Sequence, residues 1–280
     1  VIQRVNGDEP TGLGLGFRFP HAGEVLKSLP DVPWFEVIAD DLLLAGGRLD
    51  IASKLRCDYP LALHSVGINI GGASRLDETY LGQLAELAAN LQPCWMSDHL
   101  CWSSGDERQH FDLLPMPFSQ VQLEHVVGRV NRVQEIFARP LLLENISYYV
   151  RFDHDEMSEW EFHAELCRRT GCGLLLDLNN LWTNCMNFGI DPESELRLAL
   201  DTLDGDTIRQ LHLAGSSPEA DEPPRWIDTH GADVMDPVID LYGKVSRRYP
   251  QIPAIIERDN ALPPFSELKN QRDLIDVFVS

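Results

Sequence analysis

The chain has 280 residues, of which 44% are hydrophobic and 24% charged, and its formal net charge is −21. That length suits one large barrel or two smaller domains, and so acidic a surface repels phosphodiester backbones, which argues against nucleic-acid binding. No window holds the ~18 uncharged apolar residues of a membrane span, and the opening VIQRVNGDEP lacks the basic-then-apolar plan of a signal peptide, so a cytoplasmic protein with no membrane partner is expected.

Short apolar runs recur along the chain and predict strands at 13–18, 34–39, 61–65, 95–100, 141–145, 173–178, 208–215 and 254–259. Each is the kind of run that a parallel strand buried on both faces requires. Helical spacing of apolar residues fills the intervals at 76–91, 119–137, 158–171, 191–203 and 236–249. Ser119 stands as an N-cap, Ser158 and Glu161 as a capping box closed by Gly171, and Pro192 at a first-turn position. The 236–249 segment repeats the Asp-Pro opening. Strands alternating with helices, without a low-complexity linker, predict an α/β fold: a (β/α)8 TIM barrel forming a single domain over residues 1–280. A doubly wound open sheet is the alternative. The glycines of GLGLGFR lie within a strand rather than after one, and G-x-G-x-x-G is absent, so a nucleotide cofactor is not expected. The six cysteines form no C-x-x-C pair and do not read as a disulfide framework; Cys101, beside His99, is the one placed near other chemistry.

In a barrel, chemistry gathers at the C-terminal strand ends. Here those ends carry His64, Asp98 with His99, Glu144 with Asn145, Asp177 followed by Asn179 and Asn180, His212, and Glu257 with Asp259. Taken alone, a histidine in an apolar strand is more often a hydrogen-bonded core residue than a ligand, and a strand-end glutamate is often salt-bridged. The segment RWIDTHGAD adds Asp228 and His230, two residues apart, on the loop after the seventh strand. An isolated D-x-H is usually a pair of solvated polar residues. Together, however, Glu144, Asp177, Asp228 and Glu257 put four anions in one small volume, where bare carboxylates repel and become protonated. Two or three divalent cations with four imidazoles would make that volume stable, so the constellation predicts a multinuclear metal site. All its donors are nitrogen or oxygen, which suits zinc, iron or manganese and not a thiolate-held cluster. Loop residues Asp228 and His230 are expected to be held less rigidly than the strand-end residues.

The segments LALHSVGINIGG, WMSDHLCW, HFDLLPMPF, LLLENISYY, GCGLLLDLNN, QLHLAG and IDTHG, in that order, resemble the multinuclear non-haem iron-dependent oxidative enzymes. These are bacterial maturation enzymes of ribosomally made peptides, including the methanobactin and thiaglutamate pathways. The resemblance runs from about residue 12 to 265. It implies a xylose-isomerase-like barrel holding two or three irons, Fe(II)/Fe(III), with O2 as co-substrate. It implies oxidation of a cysteine in a precursor peptide, by β-carbon excision or by formation of an oxazolone–thioamide type heterocycle. A separate leader-binding partner protein, in a heterodimer, is also implied. Carried onto this chain, it makes His64, His99 and Glu144 ligands of one iron. Glu144 bridges to a second, held also by Asp177, His212 and Glu257, and a third would use Asn180, Asp228 and His230. Glu144, Asp177 and His212 are the catalytic candidates. His21, Asp41, His110 and Asp112 are the candidates for substrate contact, with Asp41 standing where many relatives carry asparagine.

Nearly the same ligand order occurs in apurinic-site endonucleases with three zincs, which would make this a phosphodiesterase using a metal-bound hydroxide. Sugar isomerases share mainly the Glu144, Asp177, His212 and Glu257 part. The net charge and Asn180, where the endonuclease pattern has another histidine, oppose the phosphodiesterase. A non-catalytic metal store or scaffold explains the ligands but not their gathering at a barrel mouth.

Overall fold

The computed structural model describes residues 10–44, 46–105, 108–220 and 224–279, with the backbone alone at 105 and 108–112. The chain begins with β1 (Leu13–Phe17), a 3-10 turn and α1 (Ala22–Ser28), then β2 (Phe35–Ile38), α2 (Ala39–Leu43) and α3 (Arg48–Asp58). Next come β3 (Leu61–His64), α4 (Glu78–Leu91), β4 (Met96–His99) and a hairpin of β5 (Trp102–Gly105) and β6 (Arg108–Leu114). After α5 (Gln120–Phe137) and β7 (Leu141–Glu144) follow α6 (Glu159–Thr170), β8 (Gly173–Asp177), α7 (Leu178–Phe188) and α8 (Pro192–Thr202). The chain closes with β9 (Ile208–Leu213), the short β10 (Ser217–Pro218) and β11 (Trp226–Ile227), α9 (Asp236–Arg248), β12 (Ala254–Ile256) and α10 (Phe265–Val279).

Eight parallel strands close a barrel in the order β1-β2-β3-β4-β7-β8-β9-β12. All eight are the apolar runs expected from the sequence, trimmed by one to three residues where the polar ends turn outward into loops. The open-sheet alternative is excluded by closure of β12 onto β1, with Leu13 opposite Ala254. Helix starts follow local chemistry. Ser119 and Asp77 accept from backbone N–H groups of α5 and α4, and Ser158 and Glu161 form the reciprocal box of α6. At α9 the Asp-Pro pair sits one residue later than in α8: Asp191 caps α8 through Ser194 N, whereas Asp236 is already inside α9 and Met235 is its N-cap.

Apolar side chains of the outer helices and strands form one large core around the barrel. A second, small cluster of Trp34, Ala62 and Ile255, with Trp95 against it, closes the floor at the N-terminal strand ends. Trp34 and Trp95 meet edge to face at 5.8 Å. Gly14 makes room for this plug, since a Cβ there would stand 2.6 Å from the Trp34 carbonyl oxygen and 2.8 Å from its indole nitrogen. Among the described residues no helix is long and apolar enough to cross a membrane.

One core residue carries a pH signature. His163 on α6 is buried, stacks on Trp160 at 6.3 Å, and has no hydrogen-bond partner for either ring nitrogen. Burial pushes its pKa from 6.5 down to about 3. Between those values the unfolded chain binds a proton here that the folded chain does not. Stability from this group is therefore intact above pH 6.5 and is lost as pH falls toward 3. His163→Phe is expected to stay folded and to lose part of this acid-side decline, as read from melting temperatures near neutrality and at about pH 5. Equal declines in the two proteins would remove His163 as a contributor.

Candidate metal centre

Strand register decides which polar ends meet. His64 on β3 lies opposite Ser97, His99 on β4 opposite Glu144 on β7, and Asp177 on β8 opposite His212 on β9. Glu144 divides its two oxygens between neighbours. Its Oε2 is 3.5 Å from Nε2 of both His64 and His99, which are themselves 3.2 Å apart. Its Oε1 is 3.6 Å from His212 Nδ1. That nitrogen also lies 3.1 Å from Glu257 Oε2 and 3.9 Å from Asp177 Oδ2. The ligand-type atoms fall into three groups, each with members within 4.8 Å of one another: His64, His99 and Glu144; Glu144, Asp177, His212 and Glu257; His230, Glu257 and Asp259. Glu144 and Glu257 each belong to two groups.

The third group gathers differently from the trio expected on the sequence. His230 Nδ1 faces Asp259 Oδ2 at 2.9 Å and Glu257 Oε2 at 3.5 Å. On its other side Nε2 lies 2.7 Å from Asp228 Oδ1. Asn180 sits beside Glu144 instead, with Nδ2 3.0 Å from the Asn145 carbonyl and 3.4 Å from Glu144 Oε1. The Asp228–His230 segment is tied to its surroundings by several contacts. β11, which leads into it, pairs with β10, Trp226 packs edge-on against Trp182 at 4.7 Å, and Asn187 bonds both the N–H and the carbonyl of Trp226. Asn179 donates to Asp228 at 2.7 Å. His230 adopts φ 45°, a left-handed turn unusual for a non-glycine residue, and its carbonyl accepts from the N–H groups of Asp259 and Asn260.

Among the described residues, six buried atoms at this end of the barrel lack a well-formed hydrogen bond: His99 Nδ1, Glu144 Oε2, Asp177 Oδ2, Asn180 Oδ1, and His212 Nδ1 and His230 Nε2, which face the carboxylates of Glu257 and Asp228. Buried polar atoms are rarely left so. All six are nitrogen or oxygen, the donor set of hard or borderline cations. These buried His, Asp and Glu groups could hold metal ions, and the residues present fit such a centre. Its charges are at odds without one. Burial, then Glu144 and Asp228, push the Asp177 carboxyl well above its ordinary value. Burial and the neighbouring His99 push His64 down to about 3. Burial opposes charge on His212 too, yet Glu36, Glu144 and Glu257 hold that ring well above its ordinary value.

Three surrounding residues were not among the sequence candidates. Glu36, fully buried within β2, has Oε1 3.0 Å from His212 Nε2. Glu36 and the Gln210 amide, whose nitrogen is 2.8 Å from the same Nε2, fix this edge of the ring and leave Nδ1 toward the cluster. Gln210, two residues before His212 on β9, donates to Glu36 Oε2 at 2.6 Å and accepts from the Trp95 indole. Arg18, at the end of β1, reaches Glu257 Oε1 at 3.3 Å and bonds Asp259. The other candidates lie further out. Asp98 is buried but holds the loop after β3, accepting from Ser65 Oγ and the N–H groups of Ile68 and His99. The His21 ring meets the Pro263 carbonyl at 2.8 Å and Phe265, and Asp41 pairs with Arg48. His110 and Asp112 have side chains outside the described residues. Cys101 is buried with Ile146 and Tyr148, and burial raises its pKa well above the ordinary value, so it remains a thiol.

Glu36→Gln keeps the size of the side chain and removes its charge. It is expected to leave the melting temperature of the metal-free protein within a few degrees and to weaken metal binding by about 10- to 100-fold, measured by competition with a chelator. Unchanged affinity would separate Glu36 from the centre.

The fold has known relatives. Endonuclease IV from Thermus thermophilus superposes with a TM-score of 0.64 at 14% identity, covering 94% of this chain and 98% of that one. A D-psicose 3-epimerase gives 0.59 at 12% identity, covering 96% of each. At these identities the likeness establishes the architecture, a xylose-isomerase-like TIM barrel, and nothing of the chemistry. In sequence, a UPF0276 protein of Anaeromyxobacter sp. (strain Fw109-5) is 43% identical over 258 residues, which are 92% of this chain and 89% of the relative. The family model described as RiPP precursor modification enzyme MbnB/TglH/ChrH matches residues 12–279. With that match running through every strand that bears the clustered residues, the chain belongs to the MbnB/TglH/ChrH family of RiPP precursor modification enzymes.

Proposed function

We propose that this protein oxidises a cysteine residue of a ribosomally made precursor peptide at a multinuclear iron centre, with O2 as co-substrate. The products in view are those of β-carbon excision, as in thiaglutamate formation, or of oxazolone–thioamide type heterocycle formation. The observation that carries the reading is the division of Glu144: one carboxylate serves two adjacent nitrogen-and-oxygen donor sets. Family membership supplies the peptide as substrate class.

Iron held there supplies one-electron and dioxygen chemistry, and Lewis acidity toward a thiol, that side chains lack. His64, His99 and Glu144 would hold one ion, and Glu144, Asp177, His212 and Glu257 a second. A third position draws on His230 with Glu257 and Asp259, or with Asp228 and Asn180. The chain's own residues do the positioning. Asp177 fixes one oxygen by accepting from Asn180 N at 2.6 Å and turns the other toward the cluster. Exposure grades across the centre: His64, Glu144 and His212 are sealed, whereas the side chains of Asp228 and His230 are 15% and 14% exposed. Substrate therefore approaches on the Asp228–His230 side, where the Asp228 carboxylate is the group positioned to take the thiol proton. Arg18 offsets the carboxylates of Glu257 and Asp259, which keeps that edge from repelling a thiolate.

A separate leader-binding partner protein belongs to the same proposal, since the barrel mouth has to receive the core of the peptide. The phosphodiesterase alternative shares the fold with endonuclease IV but has to bring a polyanion onto a chain of net charge −21.

The reading is tested by mass spectrometry. The iron-loaded protein, with its genomic neighbours supplied as precursor and partner, is expected to change the mass of a cysteine-containing precursor only when O2 is admitted. Asp177→Ala should bind less iron and leave the peptide unmodified. Modification that persists without iron or O2, or cleavage of abasic-site DNA without peptide turnover, would overturn it.

A further inference from the structure

On the face opposite the metal centre, among the N-terminal strand ends, lies a cavity of about 450 Å³. Its wall contains Arg56, Arg139 and Arg209, with Gln92, Cys94 and Trp95 between them, and no aspartate or glutamate. The chain as a whole carries 44 acidic residues and 23 basic ones, so three guanidinium groups around one hollow run against its composition. Two of the three side chains are anchored on main-chain carbonyls. Arg56, almost wholly buried, donates to the Leu91 and Gln92 carbonyls, and Arg139 donates to the Pro93 carbonyl at 2.9 Å. Among the described residues no carboxylate pairs with Arg139 or Arg209; Asp206 lines the adjoining hollow, which shares Cys94, Trp95 and Arg209.

We propose that this cavity is a binding site for a small multivalent anion carrying phosphate or carboxylate groups. Guanidinium groups bind such groups through paired N–H donors, and anchoring Arg56 and Arg139 beforehand on the 91–93 carbonyls lowers the ordering cost of binding. Arg139 is half-buried, and burial disfavours its charge. An anion in the hollow restores what that burial takes away. The cavity volume suits a small molecule rather than a chain segment. The site is independent of the chemistry at the barrel mouth.

Isothermal titration of the metal-loaded protein with inorganic pyrophosphate, and separately with citrate, tests the assignment. Binding of either at one site per chain is expected, and the stronger of the two identifies the preferred head group. Because both probes can also meet a metal, two variants locate the site. Arg139→Gln/Arg209→Gln should weaken binding at least tenfold, while Glu144→Ala, at the other end of the barrel, should leave it unchanged. Arg209 is exposed, so Arg209→Gln alone keeps the test valid if the double variant does not fold; it should weaken binding measurably. No binding of either anion at millimolar concentration, equal binding by the arginine variants, or loss of binding in Glu144→Ala would each overturn the proposal.

Discussion

Burial of like charge governs this barrel. Glu144, Asp177 and Glu257 lie in the interior at the C-terminal strand ends and Glu36 lies below them within β2, each no more than 4% exposed. A lone carboxylate in such a place costs several kcal/mol or takes up a proton. The chain answers with positive or polarisable neighbours on every side: His64 and His99 against Glu144, His212 amid four carboxylates, Arg18 and His230 against Glu257. Even so, carboxylate oxygens of Glu144 and Asp177 remain without hydrogen bonds. The fold is built to concentrate negative charge and then to leave it partly unmet, which is what a cation requires of its host.

Economy of side chains makes that concentration possible. Asp177 ends β8, caps α7 and offers an oxygen to the centre, so strand, helix and site begin at one residue. Asn145 ties the top of β7 to β8 by bonding both the N–H and the carbonyl of Asp177. The helix start thereby directs its backbone N–H groups at the same carboxylate, whose charge its dipole favours. Fold and site are therefore not separable here, and loss of the Asp177 side chain removes a helix cap along with a donor.

The sequence made the eight strands readable because parallel strands buried on both faces leave uninterrupted apolar runs. It made the strand-end residues readable because polar groups at the end of such a run stand out. Other features carried no such contrast. α7 keeps helical spacing at Leu178, Leu181, Trp182 and Cys185, but it starts directly after β8, so no turn separates its first apolar residue from the apolar run of the strand. α3 follows no apolar stripe, and the β5–β6 hairpin sits where alternation was taken up by its polar residues. Glu36 was hidden inside WFEVIA, where a single polar residue mid-strand gives no pattern, and Arg18 read as the edge of β1. Pairing of His230 with Asp259 depends on where two loops meet, which spacing along the chain does not encode.

The Trp95 indole on the barrel floor is a donor with no accepting atom. By giving its N–H to Gln210 Oε1 it fixes which way that amide points, so the Gln210 nitrogen must face Glu36. Glu36 in turn stands against His212, whose other edge looks into the cluster. Polarity is thus handed upward through the barrel in one direction, from an indole that cannot be reversed to an imidazole that can. A phenylalanine at the floor would fill much the same space and yet free the amide to turn its oxygen on Glu36, so the orientation of a ring at the mouth is written into the hydrogen of a tryptophan at the base.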